Sequence, residues 1–271
     1  MKIAFIGDIV GRPGRSMLTT HLKELKALHQ IDFIIANYEN ASHGFGLSTK
    51  NAKELFNAGI DVMTGGNHTW DKKDIKTLLE TDPILRPINY PDMVVGEGCK
   101  IFEVNGKSIA VINAMGHFCM PLVDNVFRSV EAKVDELIEK DIKHIFIDIH
   151  AEATSEKRAL FLHLREKISA LIGTHTHVGT DDLQIIEGTA YATDIGLTGC
   201  RDNVIGMGAD VPIERFITGV SPGRFEVPEK CKSWIQMMVM DLDDAGRCHE
   251  MYKIRRFCDG RDDTRLDAYI D

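Results

Sequence analysis

Ile3-Ala4-Phe5-Ile6-Gly7-Asp8 begins the chain with a short apolar run that ends in a glycine and a carboxylate. A run of this length bounded by a turn residue is typical of a buried strand. Similar apolar runs precede four more polar groups, which are Glu39-Asn40, Asn67-His68, His150 and His175-Thr176-His177. In α/β proteins, binding sites gather where strands end and loops begin. The pattern therefore predicts that these five strand ends form one site.

The segments between the first strands have the spacing of amphipathic helices. Leu18, Leu22 and Leu25 recur at helical intervals after Pro13, which suits a first helical turn. The second half is richer in antiparallel signals, and Asn105-Gly106 between two apolar runs predicts a hairpin. We expect an α/β fold in which mixed sheets are covered by helices, as one domain over residues 1–271. Periodicity is consistent with helix-sheet-sheet-helix layering but does not establish it.

Composition excludes several classes of protein. The 271 residues are 44% hydrophobic and 27% charged, which are ordinary globular values and exclude disordered and fibrous chains. The 32 basic and 41 acidic side chains give a net charge of -9, so the chain lacks the basic footprint that duplex nucleic acid requires. No apolar stretch approaches the roughly 20 residues that span a bilayer. The expectation is a cytoplasmic protein without a signal peptide.

The six cysteines show no local signature. None belongs to a C-x-x-C pair, and none pairs with histidines at zinc-finger spacing. In a cytoplasmic chain they are expected to be reduced packing residues.

The residue types at the strand ends point to a metal. Carboxylate, amide oxygen and imidazole suit iron, manganese or zinc, and the absence of cysteine argues against a structural zinc site. There are seven candidate ligands: Asp8, Glu39, Asn40, Asn67, His150, His175 and His177. This number exceeds what one tetrahedral ion uses, whereas two ions about 3.5–4 Å apart, bridged by a carboxylate, would use them all.

Each candidate also has a simpler interpretation when taken alone. Asp8 could cap the helix that follows it, and Glu39-Asn40 could be a turn. A single histidine such as His150 is more often a packed, hydrogen-bonded side chain than a ligand. The order and placement of all five groups favour the metal site over these alternatives.

Gly7-Asp8, Glu39-Asn40, Gly66-Asn67-His68, His150 and Gly173-Thr174-His175-Thr176-His177 resemble the five motifs of the calcineurin-like metallophosphoesterases. The longer stretches Glu39-Asn40-Ala41, Gly66 to Asp71 and His150 to Lys157 are similar to those of the bacterial YmdB family. The likeness extends from Met1 to about Met240. It implies a four-layer α/β/β/α sandwich and 2′,3′-cyclic-nucleotide 2′-phosphodiesterase activity.

Two positions depart from the wider superfamily. Val10 stands where the first motif usually has a histidine, and Glu39 stands where the second motif usually has a bridging aspartate. The YmdB-like pattern has both changes and implies that Asn40 replaces the lost histidine.

The resemblance also implies a role for each site residue. Asp8, Glu39, Asn40 and His177 would hold the first ion. Glu39, Asn67, His150 and His175 would hold the second, with Glu39 bridging. His68 would not be a ligand but the general acid that protonates the leaving oxygen.

The expected reaction is hydrolysis of a small cyclic nucleotide to a 3′-nucleotide. The two cations would neutralise the phosphate and lower the pKa of a bridging water so that hydroxide attacks phosphorus. Iron is the preferred metal, with manganese as the alternative. A phosphomonoesterase or nuclease on the same site, or a metal-binding regulator acting through a partner protein, remains open, and so does assembly into a homo-oligomer.

Overall fold

A computed structural model describes residues 1–263 and 265–271. The strands are β1 (Lys2–Ile6), β2 (Asp8–Ile9), β3 (Phe33–Asn37), β4 (Val62–Thr64), β5 (Cys99–Val104), β6 (Lys107–Met115), β7 (His144–His150), β8 (Ala170–Thr174), β9 (Gln184–Ile186), β10 (Thr189–Ala192), β11 (Leu197–Cys200), β12 (Ser233–Leu242), β13 (Cys248–Phe257), β14 (Leu266–Asp267) and β15 (Tyr269–Ile270). The helices are α1 (Gly11–Leu28), α2 (Thr49–Ala58), α3 (Ile75–Thr81), α4 (Val126–Glu139), α5 (Thr154–Leu164) and α6 (Asp210–Thr218), with a 3₁₀ turn at Thr69–Asp71.

The strands form two sheets. One has the order β14-β13-β12-β1-β3-β4, with β11 pairing with both β12 and β2. The other has the order β15-β9-β10-β8-β7-β6-β5. Strands β1, β3 and β4 run parallel in the first sheet, and β6, β7 and β8 run parallel in the second. This parallel arrangement places the ends of consecutive strands at a common edge of each sheet.

Alternating side chains of β1 divide the core into layers. Ile3 and Phe5 pack into the cluster between the two sheets, together with Phe146 of the second sheet. Ala4 and Ile6 point to the opposite face, where they pack with α1 and α2. On the outer face of the second sheet a third cluster is formed with α4 and α5. The four-layer α/β/β/α sandwich is therefore confirmed.

The hairpin predicted from Asn105-Gly106 is confirmed. Asn105 and Gly106 have φ of 52° and 76°, which is the backbone conformation of a tight hairpin between β5 and β6. Ser48 occupies the N-cap of α2, but its side chain makes no capping hydrogen bond. Asp71 ends the 3₁₀ turn, and α3 begins four residues later at Ile75.

The cysteine prediction was wrong for one pair. Cys200 and Cys231 form a disulfide with their Cα atoms 5.6 Å apart. They are 31 residues apart in the chain, and they meet because β11 pairs with β12 just after Cys231. Cys99, Cys119, Cys248 and Cys258 are free, as expected, but Cys119 and Cys258 are exposed and are not packing residues. Among the described residues, no helix combines the length and apolar character needed to cross a membrane.

Candidate metal centre

The predicted site residues lie at the carboxyl ends of the parallel strands. Asp8 follows β1, His150 ends β7, and His175 directly follows β8. Glu39 and Asn67 come two and three residues after β3 and β4. The two sheets thus contribute to one edge of the sandwich, as the strand ends predicted.

The glycine turn before Asn67 allows the ligand atoms of both sheets to approach. Asn113 of β6 fixes Gly65, because it accepts from the Gly65 N–H at 2.9 Å and donates to its carbonyl at 2.9 Å. A Cβ atom built on Gly66 would lie 2.1 Å from Glu39 Oε2 and 2.1 Å from the His150 ring. Only glycine fits between these two side chains.

Three ligand atoms converge on one imidazole nitrogen. His150 Nε2 lies 3.0 Å from Glu39 Oε1, 3.0 Å from Asn67 Oδ1 and 3.1 Å from His175 Nδ1. The ligand atoms of Glu39, His150 and His175 all lie within 4.8 Å of one another. These four side chains are the set expected at the second ion.

Hydrogen bonds away from the site fix the protons on these rings. The Thr174 hydroxyl donates to Asp148 Oδ1 at 2.7 Å, so its oxygen is left to accept the Nδ1–H of His150 at 2.9 Å. Glu152 Oε2 lies 3.1 Å from His175 Nε2, within ion-pair distance of that nitrogen. A neutral imidazole carries one N–H, so His150 Nε2 is a lone pair, and a His175 proton held at Nε2 beside Glu152 would leave Nδ1 as a second lone pair facing it. A cation between them would satisfy both.

Asn40 and His177 also have their hydrogen-bond donors directed away from each other. Asn40 Nδ2 donates to the carbonyl of Gly44 at 2.8 Å, which leaves Oδ1 facing His177 Nε2 at 3.0 Å. His177 Nδ1 donates to the carbonyl of Ile205 at 2.8 Å. Two acceptors therefore face each other here as well.

Two buried carboxylate oxygens complete the donor set. Asp8 Oδ1 and Glu39 Oε2 have no hydrogen-bond partner among the described residues. Asp8 and Glu39 are 0% and 1% exposed, so water does not satisfy these atoms from the surface. An unpaired buried carboxylate is costly, and coordination of a metal ion removes that cost. The residues present thus fit metal ions.

The pKa values show the same need for positive charge. Burial, and then Asp194 and Glu39, raises the pKa of Asp8 well above its usual value. Burial raises the pKa of Glu39 to about 7. Burial lowers the pKa of His150 well below its usual value, and that of His175 to about 3. The imidazoles are therefore neutral, as metal ligands must be, and the carboxylates lack a cation.

His68 lies beside this group but is directed differently. Its Nδ1 lies 2.8 Å from Asp71 Oδ2, and its side chain is 30% exposed. Its ring forms a T-shaped pair with Phe45, with the ring centroids 5.0 Å apart. This ring is held at the surface of the site rather than within it.

Sequence reasoning missed the residues that support the ligands. Asp148, Thr174, Asn113 and Glu152 orient ligand side chains or the glycine turn, although none was singled out for that role. Asp148 gives one usable signal, because it interrupts the buried run Ile145-Phe146-Ile147-Asp148-Ile149. A carboxylate in a fully apolar strand must find partners.

The two-sheet sandwich and its ligand-rich edge define a metallophosphoesterase. Within that class the chain belongs to the YmdB-like protein family, whose model matches residues 4–254. It is 45% identical over 249 residues to the 2′,3′-cyclic-nucleotide 2′-phosphodiesterase of Bacillus subtilis, covering 90% of this chain and 92% of that protein. It is 34% identical over 250 residues to a putative phosphatase/phosphodiesterase of Mycoplasma pneumoniae, covering 90% of this chain and 88% of that protein.

Solved structures agree with this assignment. A hypothetical protein from Thermus thermophilus superposes with a TM-score of 0.89 at 35% identity, covering 95% of this chain and 99% of that one. A 5′-nucleotidase precursor from the same organism reaches a TM-score of 0.56 at 11% identity, with 94% of this chain and 54% of that chain covered, and shares the fold alone.

Proposed function

We propose that this chain hydrolyses 2′,3′-cyclic nucleotides to 3′-nucleotides at a centre of two transition-metal ions, with His68 as general acid. The coarser part of this statement, a cyclic-nucleotide phosphodiesterase or phosphatase family, rests on the relatives described above. The 2′,3′ substrate is taken from the name of the Bacillus subtilis relative. The observation that carries the metal chemistry is the meeting of three potential ligands with a fourth, at His150 Nε2.

The proposed bridge is Glu39. Its Oε1 lies in the group around His150, whereas Oε2 is buried without a hydrogen-bond partner in the described part of the chain. One carboxylate with two available oxygens can serve two ions. Asp8, Asn40 and His177 would complete the first ion, and Asn67, His150 and His175 the second.

The donor set also bears on the choice of metal. It contains carboxylate and amide oxygens with three imidazoles and no thiolate, which suits iron or manganese. Iron is our preference and manganese the alternative. When bound, the ions would supply positive charge for the phosphate oxygens and an activated water as nucleophile.

The chain's own part in the reaction is proton delivery. Opening a 2′,3′-cyclic phosphate to a 3′-phosphate breaks the bond between phosphorus and the 2′ oxygen, which leaves as an alkoxide unless it is protonated. His68 is oriented by Asp71 through Nδ1, so Nε2 is the nitrogen that would give the proton. A general acid contributes typically about 10²–10⁴-fold.

The proposal extends to the whole chain as one domain over residues 1–271 in the cytoplasm. The last strands support the single domain, because β14 joins the first sheet and β15 joins the second. The partner is a small nucleotide, and the net charge of -9 disfavours duplex nucleic acid.

A phosphomonoesterase is the second candidate. Two relatives from Mycoplasma species are named as a putative phosphatase/phosphodiesterase, and the solved Mycoplasma pneumoniae structure, 32% identical with a TM-score of 0.88, is described as a novel phosphatase. It covers 95% of this chain and 93% of that one. The metal site itself fits either reaction.

The test compares substrates and leaving groups. Manganese- or iron-loaded enzyme should convert 2′,3′-cyclic AMP to the 3′-phosphate and act poorly on p-nitrophenyl phosphate, with products identified by ³¹P NMR. His68→Ala should slow the opening of 2′,3′-cyclic AMP by about 10²–10⁴-fold. The loss should be much smaller for bis-p-nitrophenyl phosphate, because that leaving group needs no proton. Faster turnover of the monoester would favour the phosphatase, and an equal loss on both diesters would contradict the acid role of His68.

A further inference from the structure

Each of the three histidines in the proposed ligand set is oriented through the nitrogen that points away from the site. The partners differ: His150 is hydrogen-bonded to the hydroxyl of Thr174 and His177 to the carbonyl of Ile205, whereas His175 has the carboxylate of Glu152 at 3.1 Å, within ion-pair distance. The first acceptor is fully buried and the second is backbone. Glu152 is an exposed side chain, and its contact with His175 can be removed without opening the core.

His175 is the ring with the greatest need of such support. Its side chain is 23% exposed, whereas that of His150 is 0% exposed. Its backbone lies in the left-handed region with φ of 100°, which a side-chain-bearing residue rarely adopts. Packing therefore encloses the His175 ring less completely than it encloses the ring of His150 in strand β7.

We propose that Glu152 is a positioning residue that selects the metal-binding tautomer of His175. The inference rests on the proposed metal site and adds a residue to it. Glu152 lies in the short connection between β7 and α5, two residues after His150, and Oε2 is 3.1 Å from His175 Nε2. By accepting the Nε2–H, the carboxylate leaves the Nδ1 lone pair directed at His150 Nε2, 3.1 Å away, where the second ion would lie.

The physical effect is on metal affinity. A neutral imidazole distributes its proton between two nitrogens, and the form with a proton on Nδ1 cannot bind the ion. A carboxylate on the far nitrogen disfavours that form, fixes the ring plane and increases the electron density that the ligand offers. Removing such a support typically weakens metal binding by about 10–100-fold.

The experiment measures binding of Mn²⁺ to metal-free protein by isothermal titration calorimetry. Glu152→Ala should weaken the site that contains His175 by about 10–100-fold and leave the other site unchanged. Glu152→Gln keeps an oxygen acceptor at a similar reach and should stay within a few-fold of wild type. Glu156→Ala is the matched control, because this glutamate of α5 holds His117 rather than a proposed ligand.

A second readout reports the tautomer directly. In metal-free, ¹⁵N-labelled protein, the His175 shifts should show protonation at Nε2 in wild type and Glu152→Gln, and a mixture of forms in Glu152→Ala. Wild-type affinity in Glu152→Ala would overturn the proposal, as would equal weakening by Ala and Gln.

The experiments distinguish a failure of the proposed role of Glu152 from a failure of the proposed function. A wild-type protein that binds metal but does not open cyclic nucleotides would contradict the function and leave the role of Glu152 intact. The reverse outcome, full activity with unchanged affinity in Glu152→Ala, would remove only the role of Glu152.

Discussion

Gly66→Ala tests whether the ligands of the two sheets really meet against this turn. The added Cβ would lie 2.1 Å from Glu39 Oε2 and 2.3 Å from His150 Nε2, whereas ordinary contacts begin at 3.4 Å. Each ligand atom would have to move by more than about 1 Å. Glu39 is 1% exposed and His150 is 0% exposed, so neither has solvent to move into.

The cost can be estimated from overpacking of buried sites. Inserting an extra methyl into a packed interior typically costs about 1–3 kcal/mol. If this cost falls on the metal-bound state, binding weakens by about 5–150-fold, because each 1.4 kcal/mol is tenfold. The fold should survive, since the strands on either side keep their pairing.

Titration of metal-free Gly66→Ala with Mn²⁺, alongside circular dichroism, measures both effects. Gly223→Ala is the matched control, because a Cβ there meets nothing within 4 Å and its φ is not in the left-handed region. Wild-type affinity in Gly66→Ala would refute the ligand placement around Gly66, whereas equal loss in the control would point to a general effect of substitution.

Three further outcomes are expected. Elemental analysis should find close to two transition-metal ions per chain; one ion at full activity would contradict the dinuclear site. Glu39→Gln should lower metal content and activity together, because the two cations lose their shared anionic ligand; full metal loading would exclude Glu39 as the bridge. Burial lowers the pKa of Lys253 to about 8, so the unfolded chain binds more protons between about pH 8 and 10.5. The stability of wild type relative to Lys253→Met should therefore rise across that window, by about 3 kcal/mol in denaturant unfolding; a constant difference would contradict this.

The positions of the candidate ligands at strand ends could be predicted, because polar residues directly follow apolar runs there. That pattern can be recognised without knowledge of the tertiary structure. The order of the strands within each sheet could not be predicted in this way. Strand β11 is only Leu197–Cys200 and includes Gly199, so it lacks a run long enough to indicate a strand. Helix α6 presents Phe216 and Ile217 at 84% and 79% exposure, so its hydrophobic residues do not mark a buried face.

The disulfide and the ligand contacts were unpredictable for a different reason. Cys200 meets Cys231, and Asn40 meets His177, because segments far apart in the chain are brought together by strand pairing. Spacing in the sequence carries no information about such meetings. The resemblance to the metallophosphoesterases implied the ligand sets, but it did not indicate Glu152 or Thr174 as supports.

Asp148 joins the two sheets at the site through hydrogen bonds to both of them. From the second sheet it accepts a hydrogen bond from Thr174, which supports His150. From the first sheet it accepts the amide of Asn37 at 2.9 Å, and Asn37 in turn accepts the N–H of Glu39 at 3.0 Å. Burial raises the pKa of Asp148 to about 6, which is the cost of placing a carboxylate there. A continuous series of hydrogen bonds therefore links Glu39 to His150, and it passes through the carboxylate that interrupts the apolar pattern of β7.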